Sequence, residues 1–464
     1  MTIARRNAQV NTKYRQISHL LRRAGFGATP GEMDRYMGMD YSEVVDELLN
    51  VPGTSTMPND VIFRMFPEYH ASLGVDACAN WAYRMVTTDS PLEEKITLFW
   101  HGIFATGNDK LNNPLVLLNQ IDTFRRNGMC RFDDILLDLS RAPAMLIWLD
   151  NQTNHKDSIN ENYGREILEL FSMGVGNYTE DDIKNASRAF TGWTFSQPIP
   201  IYPQGHYPSR FEFHPEDHDG DEKSFLGHHG TFDGEDIIDI IVKEEATARF
   251  VSRHLCNFFV EDEPQVPAWN IEPPRDPRLV DHLAKIFSRS SGDMRAVLSE
   301  LFNSDSFKNS INKPKVKSPT ELLAGVLKQV GNYREIKPGL ESYVGALTVM
   351  GQSLLNPPTV EGWHTGPEWI DSGTLSERIN FASTEFSDDD TPGMKDIIQR
   401  AGSLDDEPSQ LVDRCLDLLG GVQVSSTTHS ELIQYVSELR TSEETNDLTD
   451  LIRMIVSTVD YQYA

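Results

Sequence analysis

The chain has 464 residues with 42 basic against 70 acidic side chains, a formal charge of −28. Such a length buries a large core and suits two to four sub-domains, while the excess of carboxylates repels phosphate backbones and anionic lipid; nucleic acid is excluded as a natural partner, and a cationic ligand or a saline habitat suits the charge. No apolar run approaches the roughly 18 residues of a membrane span, and the N-terminal MTIARRNAQVNTKYRQ lacks the apolar stretch of a secretory signal, so a cytoplasmic chain is expected.

Taken in chain order, helix starts recur. Thr29-Pro30-Gly31-Glu32, Ser90-Pro91-Leu92-Glu93 and Ser318-Pro319-Thr320-Glu321 each place a hydroxyl cap, Pro at the first helical position and Glu at the third. The hydroxyl accepts from an orphan backbone N–H while Glu closes the box and complements the helix dipole. Ser158-x-x-Glu161, Thr179-x-x-Asp182 and Asp233-x-x-Asp236 follow the same logic without Pro. The fold class expected is mainly α, a multi-helical orthogonal array.

The helix after Ser90 carries Glu94, Thr97 and His101 on one polar stripe beside Phe99 and Trp100. A His in that setting is either a satisfied core residue or a neutral imidazole suited to a metal or a proton shuttle. A helix over Ser158–Met173 buries Ile167, Leu170 and Phe171 and sets Glu161, Arg165 and Glu169 along another face, with Glu166 one residue further round. Two readings stand side by side. Glu161–Arg165–Glu169 is a ladder of helix ion pairs, or Glu166 and Glu169 act as acid and base, or as metal ligands, with Arg165 holding one of them ionised.

From Thr194 to Phe232 the helical pattern stops. The stretch is rich in Pro, Gly, His and aromatics, and Arg210–His214 alternates like a strand, so one short hairpin is expected inside a long excursion. Asp217, Asp219 and Asp221 alternate like a calcium loop, but Glu222 and His228 stand where that motif needs its Gly and Glu. His214 and His218 with Asp219 remain candidate ligands for a divalent transition metal. A second irregular stretch, Leu355–Asp371, holds Trp363 and Trp369, and the acidic Ser387–Pro392 separates an expected core of 1–385 from a C-terminal helical module of 386–464. Cys78, Cys130, Cys256 and Cys415 form no C-x-x-C pair and are expected as buried thiols. No H-E-x-x-H, G-x-S-x-G, Walker A or dinucleotide fingerprint occurs, which disfavours nucleotide-dependent and serine-hydrolase chemistry.

Several blocks carry a resemblance. His19-Leu-Leu-Arg-Arg-Ala-Gly-Phe-Gly27, EEKITLFWHGIFATG, NENYGREILELFSMGVGNYTEDDI with its following AFTGW, HDGDEKSFLGHHGTFDGEDIIDII, FVSRHLCNFFV, KSPTELLAGVL and LLNPPTVEGWHTGPEWIDSGTLSERINFA run in order through nearly the whole chain. They resemble the bacterial domain-of-unknown-function 1800 family. The resemblance implies a large, mainly helical protein without a settled activity. It also implies a neighbour of the domain-of-unknown-function 1501 family, which is similar to alkaline phosphatases and sulfatases, and an exported location for many relatives, at odds with the missing signal here. The family blocks retain ionisable residues at His101, Glu161, Arg165, Glu166, Glu169, His218, Asp219, Lys223, Lys317 and Arg378.

The leading expectation is a metal-assisted hydrolase or oxidoreductase with a carboxylate and His pocket. Glu166, Glu169, Arg165 and His101 are its catalytic candidates. Glu161, Glu166, His218 and Asp219 are candidate ligands for a divalent metal ion, and Lys223 and Arg378 candidate anion-binding groups. The alternative is a non-catalytic helical scaffold or accessory subunit for the phosphatase- or sulfatase-like partner, with the Trp363/Trp369 loop as interface.

Overall fold

A computed structural model describes residues 3–50, 61–66, 68–70, 73–196, 209–313, 315–441 and 447–464. Among them are 24 α-helices and two two-stranded antiparallel sheets, the mainly α array expected. The helix Pro91–Ile103 is its centre, buried from Leu92 to His101 on every face. It packs on the helices Gly74–Thr87 and Pro114–Asn127. A helix enclosed on all sides must carry its charges paired. Glu94 meets Arg125, Arg84 at 3.5 Å and the indole N–H of Trp81 at 3.0 Å, and Lys95 meets Glu321.

Capping boxes close at Thr29, Thr179, Asp233 and Ser318 as the spacing predicts. Two starts differ. Ser90 makes no side-chain cap. Ser158 lies in an isolated bridge with His155, and the helix expected over Ser158–Met173 is Asn162–Glu169, with Glu161 at the cap position. The backbone N–H of Ser158 donates to the carbonyl of His155, so the chain turns there before it can become helical.

The excursion contains the expected hairpin, Trp193–Ser196 paired with Arg210–Phe213, and a second that the pattern does not announce, Lys223–Phe225 with His228–Gly230. The intervening part of the predicted excursion, 197–208, lies outside the described residues. After Ser372–Glu385, four helices, Pro392–Ala401, Pro408–Leu418, Ser426–Thr441 and Leu448–Val456, stack in sequence. Tyr463 then pairs with Val316, so the segment lies along residues 315–317. Among the described residues no helix is long and apolar enough to cross a membrane. Cys78, Cys256 and Cys415 are buried free thiols, while Cys130 is exposed, contrary to expectation, on the turn after the Pro114–Asn127 helix.

Candidate functional site

A cleft of about 660 Å³ opens where five separate stretches meet. Leu98, Phe99, Gly102 and Ile103 form one wall and Glu169 to Asn177 a second. The helix Glu245–Phe259 and the loop that follows supply a third, through Phe250, Arg253, His254, Phe258 and Trp269. Lys315, Ser318, Glu321 and Gln352 lie at the base, and Glu361, Trp363 and Trp369 close over it.

Two glycines set these walls. Gly174, at φ +76, ends the Glu169 segment so close to the Phe250 ring that a β-carbon would fall 2.9 Å from it. Gly362, at φ +86, seats the Trp363 loop on the carbonyl of Gly102. Only a residue without Cβ fits both demands, the positive φ and the close approach.

Glu169 lines the cleft and accepts a hydrogen bond from the Tyr178 hydroxyl at 3.0 Å. Glu166, one turn earlier, is half-buried, and its carboxyl accepts no protein hydrogen bond among the described residues. Burial first, then the Glu169 and Glu361 carboxylates, push its pKa up to about 7 against the pull of Arg165. Arg165 itself is committed to Glu180, at 2.9 and 3.1 Å, and lies 3.6 Å from Glu161. Of the expected Glu161–Arg165–Glu169 ladder only the Glu161 rung forms, because Arg165 turns to Glu180 and Glu169 to Tyr178.

His101 is fully buried, its ring 5.3 Å from Trp81 and 5.2 Å from Trp363. Neither ring nitrogen has a partner, and burial lowers its pKa to about 3, so it stands neutral behind the cleft wall. The remaining candidates lie in other surroundings. Asp219 takes both guanidinium arms of Arg188, at 2.6 and 3.2 Å, and His218 reaches Thr191. The buried Lys223 ammonium donates to the carbonyls of Asp219 and Asp221. Arg378, also buried, donates to Gln462 and to the carbonyl of Lys317 at 2.8 and 2.7 Å, which ties the C-terminal segment down.

Among the described residues, the group of three or more potential ligands whose atoms lie within 4.8 Å of one another is Asp388–Asp390, fully exposed. Glu161, Glu166, His218 and Asp219 do not converge, so that set does not fit one metal ion, whose bonds to its ligands are about 2 Å. A profile described as Protein of unknown function (DUF1800) matches residues 19–463. The chain belongs to this family. No curated protein and no solved structure matches it. The family relation covers every wall of the cleft, since all its lining residues fall within the matched span.

Sequence reasoning missed Arg253, His254, Trp269, Lys315 and Glu361. A signal existed for two of them: Arg253-His254 interrupts the apolar helix FVSRHLCNFFV, and an Arg buried there needs a partner. It has one in Glu263 at 3.0 Å, with the Trp269 ring centroid 4.5 Å from the guanidinium. Glu361 and Trp269 sit in irregular chain, where no periodicity marks the buried face.

Proposed function

We propose that the cleft is an active site for a small organic molecule and that Glu166 moves a proton on it, with Glu169 alongside. The observation that carries this reading is the Glu166 carboxyl, half-buried, without a side-chain hydrogen bond among the described residues, and set just behind the cleft lining where the lining carboxylates of Glu169 and Glu361 act on it. A carboxyl poised near neutral pH serves as acid and as base in the same medium, which suits hydrolysis of an ester, amide or glycosidic bond. The aromatic walls supply apolar contact, and Asn177 and Asn257 are among the polar groups of the lining that can orient a ligand. His101 supports the wall behind Trp363 in this reading, without touching the substrate.

Two measurements test it. Carbon NMR of Glu-labelled protein is expected to show one side-chain carboxyl titrating near neutrality, lost in Glu166→Gln. A panel of chromogenic esters, amides and glycosides is expected to reveal turnover that Glu166→Gln abolishes while the fold persists. Turnover indifferent to that substitution sinks the idea.

One observation favours the accessory reading as well. Ile271 and Val175, on the cleft rim, are 83% and 45% exposed, and apolar side chains around an open cleft mark docking surfaces. The partner in that case is the phosphatase- or sulfatase-like neighbour. Co-expression in which the two proteins elute separately removes this support.

A further inference from the structure

The charges around the cleft do not balance. Its cations are taken: Arg249 by Asp281, Arg253 by Glu263 at 3.0 Å, and Lys315 by Asp262 at 3.3 Å. Of its acids, Glu321 has a cation in Lys95. Glu169 meets the uncharged Tyr178, and among the described residues no ion pair reaches the carboxylates of Glu272 or Glu361. Every cation thus has its carboxylate, and three carboxylates lack a cation. An anionic ligand entering here meets carboxylates without an ion-pair partner, while the lining cations already hold carboxylates of their own. Trp363 and Trp369, which also line the cleft, favour the same sign, because an aromatic quadrupole attracts positive charge.

A second observation is independent of charge. His254 lines the cleft, is 9% exposed, and is wedged between Phe250 and Trp269 with both ring centroids 4.5 Å away. Its Nε2 has no partner, and no protein hydrogen bond to either ring nitrogen exists among the described residues. Nε2 is sealed inside the wall, so the ring nitrogen left for a ligand oxygen is Nδ1. Burial and the adjacent Arg253 hold the ring neutral, so it offers one N–H without adding charge.

We propose that the cleft binds an organic cation: an ammonium-type head toward Glu169, Glu272 and Glu361, an aromatic or apolar body against the tryptophans, and an acceptor oxygen for His254. This rests on the reading that the cleft takes a small organic molecule, and names its class.

Tryptophan fluorescence and calorimetry on the full chain test it with four probes. Para-carbamoyl phenethylamine has all three features; para-ethylbenzamide lacks the charge, para-carbamoyl phenylacetate reverses it, and phenethylamine lacks the acceptor. The first is expected to bind about tenfold tighter than the neutral and anionic probes, a difference the Glu169→Gln/Glu361→Gln pair erases. His254→Phe, which keeps the ring packing, is expected to remove its advantage over phenethylamine and leave the charge preference intact. Equal or tighter binding of the neutral or anionic probe overturns the cation assignment and leaves the cleft as an organic-ligand site. Absence of binding by all four at millimolar concentration overturns both.

Discussion

Gly362 rests on the carbonyl oxygen of Gly102, at a distance where an added β-carbon would stand 2.3 Å from that oxygen. One contact therefore joins the end of the central helix to the loop that carries Glu361 and Trp363, and the cleft has its roof because of it. Gly362→Ala must push the loop away and also strain a φ of +86. The expected cost is about 2–4 kcal/mol, from the left-handed backbone and the overlap together. Urea unfolding reads that cost. Trp363 emission, isolated by comparison with Trp363→Phe, should shift red as the ring leaves His101; an unchanged spectrum with unchanged stability contradicts the contact.

Glu166→Gln is expected to stabilise the fold at alkaline pH and not at acid pH. The folded carboxyl holds its proton up to about 7, against an ordinary 4.5. Between those values the folded state binds the extra proton, so stability falls as pH rises through the window and the ionised group stays costly above it. Removing that charge should raise stability by about 1–2 kcal/mol at pH 8 and by nothing measurable near pH 4. Unfolding curves of the two proteins at both pH values give the answer, and a pH-independent difference rules out the perturbed carboxyl.

His101 works in the opposite direction. Its imidazole refuses a proton until about 3, while the unfolded chain accepts one near 6.5. The stability contributed by the neutral ring is present above 6.5 and drains away as pH falls toward 3. His101→Phe, which fills the space between Trp81 and Trp363, should therefore gain on the wild type by about 2 kcal/mol between pH 7 and pH 5. Parallel pH profiles for the two proteins would show that His101 is not neutral and buried.

Lys95→Met leaves the Glu321 carboxylate buried beside an apolar side chain. Lys95 and Lys315 together hold Glu321 down to about 2 against its burial. Losing one partner of a buried pair costs about 3–5 kcal/mol. Adding Glu321→Leu should return a large part of that loss, so the double-mutant cycle is expected to show coupling well above 1 kcal/mol. Additive effects would mean that the pair contributes nothing as a pair.

How much was legible in the sequence follows from how local each signal is. Thr29, Thr179, Asp233 and Ser318 announce their helices because a cap acts within four residues, and all four close their boxes. Ser158 misleads because the same residues serve a turn as readily as a cap. Helical spacing separates Glu166 and Glu169 from the core side of their helix, yet nothing local tells that Glu361, nearly 200 residues later, faces them. Asp219 and Lys223 look like ligands from their charge alone; Arg188 and two backbone carbonyls, distant or invisible in the pattern, absorb them. Charge is written in the sequence, and its partner is written in the tertiary fold.

The cleft takes its walls from five stretches spread between Leu98 and Trp369, so no portion of the chain holds a rudimentary version of it. Occupancy and global folding are consequently one equilibrium: whatever fills the space binds only the complete structure and shifts its unfolding by mass action. A melting-temperature screen thus reports on the cleft directly, and the thermal midpoint serves as an assay before any reaction has been named.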